Sequence, residues 1–270
     1  MKNFLLISRE ITLDKQDLID KIATYIESRG GSLRVALSED EAAYNNLQGI
    51  DCIISMGGDG TFIRIAQRCY NAHIPIIGLN KGHLGYLCEL DEQNIISNLE
   101  RLISEDYVLE HRMMIETDNN DRALNDIVVF RSEGFQIVQL SVYVNGEYLY
   151  SYNCDGIVIS SPTGSTGYNL SAGGPIASPT DRALLLTPIN AHALSARSIV
   201  FSADDEIAIQ VEDRLGDGSA RVDVRYDGTF SKCLYSGQRV IVRAASETTD
   251  VVILSKLSFL ERIREKMQAE

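Results

Sequence analysis

The first hundred residues alternate short apolar runs with amphipathic stretches. FLLIS (4–8) is a compact apolar run, and Leu18, Ile22 and Ile26, with Ile19 and Ala23 beside them, then recur at the spacing that lines one face of a helix. Gly30 and Gly31 supply its stop. LRVAL (33–37) and DCIISM (51–56) follow as strand candidates, then a helical pattern over about 61–71, the run IPIIGL (74–79) and another helical pattern over about 92–104. Continuous apolar strands alternating with amphipathic helices predict a parallel sheet covered on both faces.

After about residue 107 the texture changes to strands separated by turns. QIVQLSVYVNGEYLYSYN carries Asn145-Gly146 between two alternating segments, and VRYDGTFSKCLYSGQRVIVRA carries Asp227-Gly228 in the same kind of place; both predict hairpins. This half reads as all-β. In the last stretch Leu257, Leu260, Ile263 and Met267 stand at helical spacing, which predicts a closing helix that packs back on the molecule. The expected organisation is an N-terminal α/β domain with a parallel sheet over 1–105, rejoined by the closing helix 256–270, and an all-β domain over 106–255.

Composition narrows the classes. With 44% hydrophobic and 23% charged residues the chain reads as a soluble globular protein, and no apolar run approaches the roughly 18 residues of a membrane span. The start, MKNFLLISRE, meets an acid soon after a short apolar stretch, so it reads as a first strand rather than a signal peptide, and a cytoplasmic location is expected. Cys52, Cys69, Cys88, Cys154 and Cys233 lie far apart with no C-x-x-C pair, which argues for reduced, mostly buried thiols. A formal charge of −13 argues against a nucleic-acid binder, because phosphate contacts need a basic face.

The chemistry concentrates in a few places. GGDGT (57–61) stands where a parallel strand turns into a helix, the position at which open α/β sheets bind ligands. Its glycines let backbone amides come close to phosphate oxygens, and a following helix aims its free N–H groups at the same anion. A carboxylate there repels phosphate, so Asp59 makes sense as the acceptor of a proton from an attacking hydroxyl, or as a neighbour of a magnesium ion held by phosphates. The plain alternative is an Asp-Gly turn. Neither a G-x-x-x-x-G-K-[ST] loop nor a G-x-G-x-x-G after a strand is present.

A second cluster is CDGIVISSPTGSTGYNLSAGGPI (154–176), where an apolar strand runs into hydroxyls and glycines. Tyr168, Asn169 and Leu170 interrupt that run, and it sits between strands, so a ligand-holding loop is favoured over a linker. Asp155 is the kind of carboxylate that holds a ribose or an amide. GLNKGHLGYL (78–87) ends another parallel strand and offers Asn80, His83 and Tyr86, while ALND (123–126) puts Asn125 and Asp126 before the strand IVVF, where Asn-Asp is also ordinary turn chemistry.

Taken together, GGDGT, GLNKGHLGYL, ALND and DGIVISSPTGSTGYNLSAGGPI resemble the signature blocks of the NAD kinase family, in that family's order, and HALSARSIVF (192–201) extends the likeness. GGDG alone is shared with 6-phosphofructokinases and lipid kinases of the diacylglycerol type. The resemblance implies an α/β domain, a β-sandwich-like domain and a final helix that returns to the first. It implies transfer of a phosphoryl group from ATP, or in some members from polyphosphate, to the adenosine 2′-hydroxyl of NAD, with magnesium or another divalent cation accompanying ATP and no protein metal ligand assigned. Homodimers or homotetramers are implied too, in which a neighbouring subunit can complete the dinucleotide site.

Residue by residue, the resemblance makes Asp59 the general base and has Gly60 contact the ligand. Arg64 matches a phosphate-binding basic position, and Tyr86 lines the same site. Asn125 and Asp126 would hold the adenine-ribose part, with Asp126 one methylene shorter than the family's usual glutamate. Asp155 would engage the nicotinamide side; Asn153, two residues before it, stands where members differ in a way that goes with acceptance of NAD alone or of NADH too, and Asn190 is a further candidate for binding NAD or ATP. Thr166, Gly167, Tyr168, Asn169, Leu170 and Ser171 would line the adenine pocket, Gly167 standing where alanine is common. The rival readings are a lipid kinase of the diacylglycerol type and a non-catalytic dinucleotide sensor.

Overall fold

The computed structural model describes residues 1–80, 86–132, 137–193, 196–213, 220–255 and 258–268, without the side chains of 262 and 265–268. They form two compact units, Met1–His111 with Thr249–Glu270, and Arg112–Thr248. The division falls inside two long strands rather than at the change of texture near residue 106.

In the first unit β1 (Asn3–Ser8), α1 (Leu13–Ser28), β2 (Ser32–Leu37), α2 (Glu41–Asn45), β3 (Cys52–Met56), α3 (Asp59–Cys69), β4 (Ile76–Asn80), β5 (Cys88–Asp91) and α4 (Ile95–Ile103) follow one another. β1 pairs in parallel with β2 and β3, β3 with β4, and β4 with β5. On one face Phe4, Leu6, Ile54 and Ile77 pack with Leu18, Ile22 and Ile26 of α1 and Leu99 and Leu102 of α4. The intervening Leu5, Ile7 and Ile53 are buried as well, so both faces are covered, as continuous apolar strands require. α1 stops where predicted: Gly30 takes a positive φ of 74° and the amides of Gly30 and Gly31 donate to Glu27 and Ile26 carbonyls. The helix expected over 61–71 begins two residues earlier, so Asp59 stands in its first turn.

The chain crosses to the second unit along β6 (Val108–Thr117), continues through β7 (Arg122–Ala123), β8 (Asp126–Arg131), β9 (Val138–Val144), β10 (Glu147–Cys154) and β11 (Gly156–Ser160), and turns through a 3₁₀ segment, Thr163–Thr166, into the short α5 (Tyr168–Ser171). Then come β12 (Ala183–Ile189), β13 (Ile199–Ser202), β14 (Ile207–Val211), β15 (Arg221–Tyr226), β16 (Thr229–Tyr235) and β17 (Arg239–Ile253), the last of which leads back to the first unit and α6 (Phe259–Gln268). One antiparallel sheet has the order β13-β12-β11-β8-β15-β16. The order β10-β9-β14-β17 forms the other. Ile127 and Val129, Ile157 and Ile159, Leu184 and Leu186, Val222 and Val224 share one core with Leu140 and Val142, Ile207 and Ile209, Val240 and Val242. Alternate residues of the central strands of both sheets face that core, which makes this unit a β-sandwich. Both hairpin turns occur where read, with positive φ at Asn145 and Gly146 and at Asp227 and Gly228.

The closing helix forms, but Leu260 is 69% exposed, so that residue does not serve the packing face its spacing suggested. Leu257 lies outside the described residues. The five cysteines form no disulfide, and burial pushes the thiols of Cys69 and Cys154 up to about 12, which keeps them protonated and inert. No helix among the described residues is long and apolar enough to cross a membrane.

Candidate functional site

In the first unit the apolar strand β3 delivers the glycine loop to the N-terminus of α3. A side chain at Gly57 would sit 2.5 Å from the Thr61 hydroxyl, so the loop can hug the helix only with glycine there. Gly58 and Gly60 are exposed, with open space where a side chain would stand, which leaves room for a phosphate group at a helix N-terminus. The Asp59 carboxylate accepts from the amide of Tyr86 at 2.9 Å and that of Leu87 at 3.2 Å. Those amides are brought in by β4 and β5: at Gly78 a Cβ would meet the Cys88 Cα at 2.7 Å, so the two strands approach closely, and the Cys88 thiol reaches the Gly57 carbonyl at 3.4 Å. Tyr86 therefore meets Asp59 through its backbone. His83 lies outside the described residues.

Arg64 is on the exposed side of α3, one turn after Asp59, and pairs with Glu39 at 2.7 Å. To bind phosphate it would exchange that carboxylate for another anion, a small cost for a pair exposed to solvent.

The second unit holds its predicted residues in a tighter frame. The amides of Leu124, Asn125 and Asp126 donate to the carboxylate of Asp227 at 2.8, 2.9 and 3.0 Å, and the Asp227 amide returns a bond to the Asp126 carbonyl at 2.9 Å. From the other side the Asn125 carbonyl accepts from the Ser161 amide at 2.8 Å and the Ser160 hydroxyl at 3.1 Å. Gly164 presses against the same carbonyl, where a Cβ would sit only 2.2 Å away. Asp126 is buried, and that burial, followed by the neighbouring charge of Asp227, pushes its carboxyl up to about 7.

The loop after β11 divides its residues between holding and presenting. Asn169 is fully buried; its amide nitrogen donates to the Ser165 carbonyl at 3.2 Å and the Pro175 carbonyl at 2.9 Å, and its oxygen accepts from Thr187 at 2.7 Å. Its side chain thus closes the loop on itself. Tyr168, Leu170 and Ser171 are exposed, and Thr166 and Gly167 half-buried, so they are the residues this segment presents. Burial raises the Tyr168 phenol, and the charges of Asp126 and Asp155 push the same way, so those three groups share one neighbourhood.

Asp155 sits between two partners. One carboxylate oxygen lies 3.0 Å from the Arg131 guanidinium and the other accepts from the Asn190 side chain at 2.9 Å. Asn190, with a positive φ of 47°, is thereby an orienter of Asp155. Asn153 is exposed on β10, and its carbonyl accepts from the His192 amide at 2.8 Å.

Sequence reasoning missed Arg131, Ser160, Ser161 and Asp227 as parts of this frame. Asp227-Gly228 was visible only as a turn, and nothing local marks a turn residue that reaches amides a hundred positions away.

Residues 21–107 match the ATP-NAD kinase N-terminal domain family and residues 124–254 the ATP-NAD kinase C-terminal domain family. An NAD kinase of Agathobacter rectalis is 41% identical, the match covering 99% of both chains. One of Lachnospira eligens is 39% identical over 92% of this chain and 93% of its own. Among solved structures, a yeast NADH kinase complexed with NADH superposes with a TM-score of 0.86 at 21% identity, covering 99% of this chain and 88% of that one. An NAD kinase from Archaeoglobus fulgidus in complex with ATP superposes at 0.80 and 22% identity, covering 99% of each. At those identities the two structures speak for the fold.

Proposed function

The chain belongs to the NAD kinase family, and from that premise we propose that it transfers the γ-phosphoryl group of ATP, or a phosphoryl group of inorganic polyphosphate, to the adenosine 2′-hydroxyl of NAD, giving NADP. The observation that carries this reading is the Asp59 carboxylate, held by two backbone amides in the first turn of α3 beside the open glycines 58 and 60.

A ribose hydroxyl is a poor nucleophile and the phosphoryl group carries negative charge, so alignment and charge neutralisation do most of the work. Asp59, fixed by the Tyr86 and Leu87 amides, accepts the hydroxyl proton as the new O–P bond forms. The helix N-terminus and Arg64 position the donor phosphates. Asn125, Asp126 and the presented residues of the 166–171 segment hold the adenosine part, and Asp155, oriented by Arg131 and Asn190, engages the nicotinamide side.

Among the described residues no group of three or more His, Cys, Asp or Glu side chains could hold a metal ion, so a divalent cation would come with the triphosphate and take most of its ligands from it. Magnesium is commonly bound by one or two carboxylates plus substrate phosphates, and Asp59 is the carboxylate of the glycine loop that would face it. When bound, the ion offsets charge on the donor phosphates. A homodimer or homotetramer, working in the cytoplasm, completes the reading.

Incubating the purified protein with NAD, magnesium and ATP or polyphosphate tests it. NADP is the expected product. Binding of NAD without product would make the chain a sensor, and phosphorylation of diacylglycerol with NAD ignored would make it a lipid kinase.

A further inference from the structure

We propose that Asp227 is a positioning residue of the dinucleotide site, which sets the conformation in which Asn125 and Asp126 are presented. This rests on the reading of Asn125 and Asp126 as dinucleotide-binding residues. Asp227 opens the two-residue turn between β15 and β16, with φ of 44° there and 79° at Gly228. Such a turn needs no more of its first residue than tolerance of a left-handed backbone, which Asn meets as well as Asp.

Asp227 does more than turn. Its carboxylate accepts the consecutive amides of Leu124, Asn125 and Asp126. Three successive N–H groups converging on one carboxylate form a charge-assisted cluster, stronger than the same number of neutral bonds. With the Asn125 carbonyl gripped by Ser160 and Ser161, the peptides on both sides of Asn125 are fixed in orientation, and its side-chain amide is left to face Gly167, whose Cβ position lies 3.8 Å from the Asn125 nitrogen. β15 brings the carboxylate there because it pairs with β8, Tyr226 against Ile127, which sets the turn beside the start of β8.

The role is separable from the turn. Asp227→Asn keeps a favoured turn dipeptide, Asn-Gly, yet replaces one acceptor oxygen by an NH₂ that faces N–H donors. Asp227→Gly keeps the backbone free and removes the acceptor altogether. Steady-state kinetics should show KM for NAD raised about tenfold in Asp227→Asn and further in Asp227→Gly, with KM for ATP and kcat within about twofold of the parent. Amide hydrogen exchange on the substrate-free protein should show faster exchange at 124–126 in Asp227→Asn, with the other strand residues of the β-sandwich unchanged. Unaltered exchange at 124–126, or KM for NAD within about twofold in the Asn variant, overturns the inference. A fall in kcat with KM unmoved overturns it too, since that would place Asp227 in the reaction itself. A parent protein that makes no NADP sinks the kinase reading instead, and the exchange measurement still decides whether Asp227 holds the segment.

Discussion

The Asp59 carboxylate accepts from the backbone amide of Tyr86 at 2.9 Å, so the candidate base is oriented by main chain rather than by another side chain. Side-chain substitutions around the loop therefore leave its orientation in place, while changes to its own oxygens do not.

Asp59→Asn should lower kcat by about a hundred- to ten-thousand-fold while NAD binding, followed by calorimetry, stays largely intact. Joint loss of binding and turnover would make Asp59 a structural residue that ties the glycine loop to the 86–87 segment.

Asp155→Ala should act chiefly on affinity. It takes from Arg131 and Asn190 their common partner, and KM for NAD should rise by about tenfold or more, with kcat changed less. A kcat loss at unchanged KM would contradict the placement of Asp155 on the dinucleotide.

Stability should carry the mark of Asp126. Its carboxyl stands at about 7 in the folded chain against 3.8 ordinarily, so between those values the folded chain keeps a proton that the unfolded chain has released. The stabilisation from that proton is complete below 3.8, falls as pH rises through the window, and is gone above about 7. Its size is on the order of a few kcal/mol. Thermal melts from pH 5 to pH 8 should fall more steeply in the parent than in Asp126→Asn, and parallel curves would contradict the buried ionisation.

Two glycines should respond to substitution differently. Gly164→Ala drives a Cβ to 2.2 Å from the Asn125 carbonyl, and overpacking against backbone costs about 1–3 kcal/mol, so the melting temperature and NAD affinity should both drop. Gly58→Ala meets open space and should hold stability within about 0.5 kcal/mol, whatever it does to phosphate binding. Equal melting shifts in the two variants would contradict the packing described here.

The residue pattern alone determined the alternation of strands and helices before residue 107, the all-β character after it and both hairpin turns. Those features are written in consecutive residues, as periods of 3.6 and 2 and as dipeptides that tolerate positive φ. Asp59 and Asp155 stand out as candidates for a related reason, since each lies beside an apolar strand, whereas Asn125 reads as ordinary turn chemistry until the family resemblance gives it a proposed role. Only the tertiary structure decided that Asn169 closes its own loop, that Asn190 orients Asp155, that Leu260 faces solvent and that Asp126 shares a buried place with Asp227. Those facts depend on which segments strand pairing and close glycine contacts bring together. A carboxylate that serves amides a hundred positions upstream leaves no local periodicity to read.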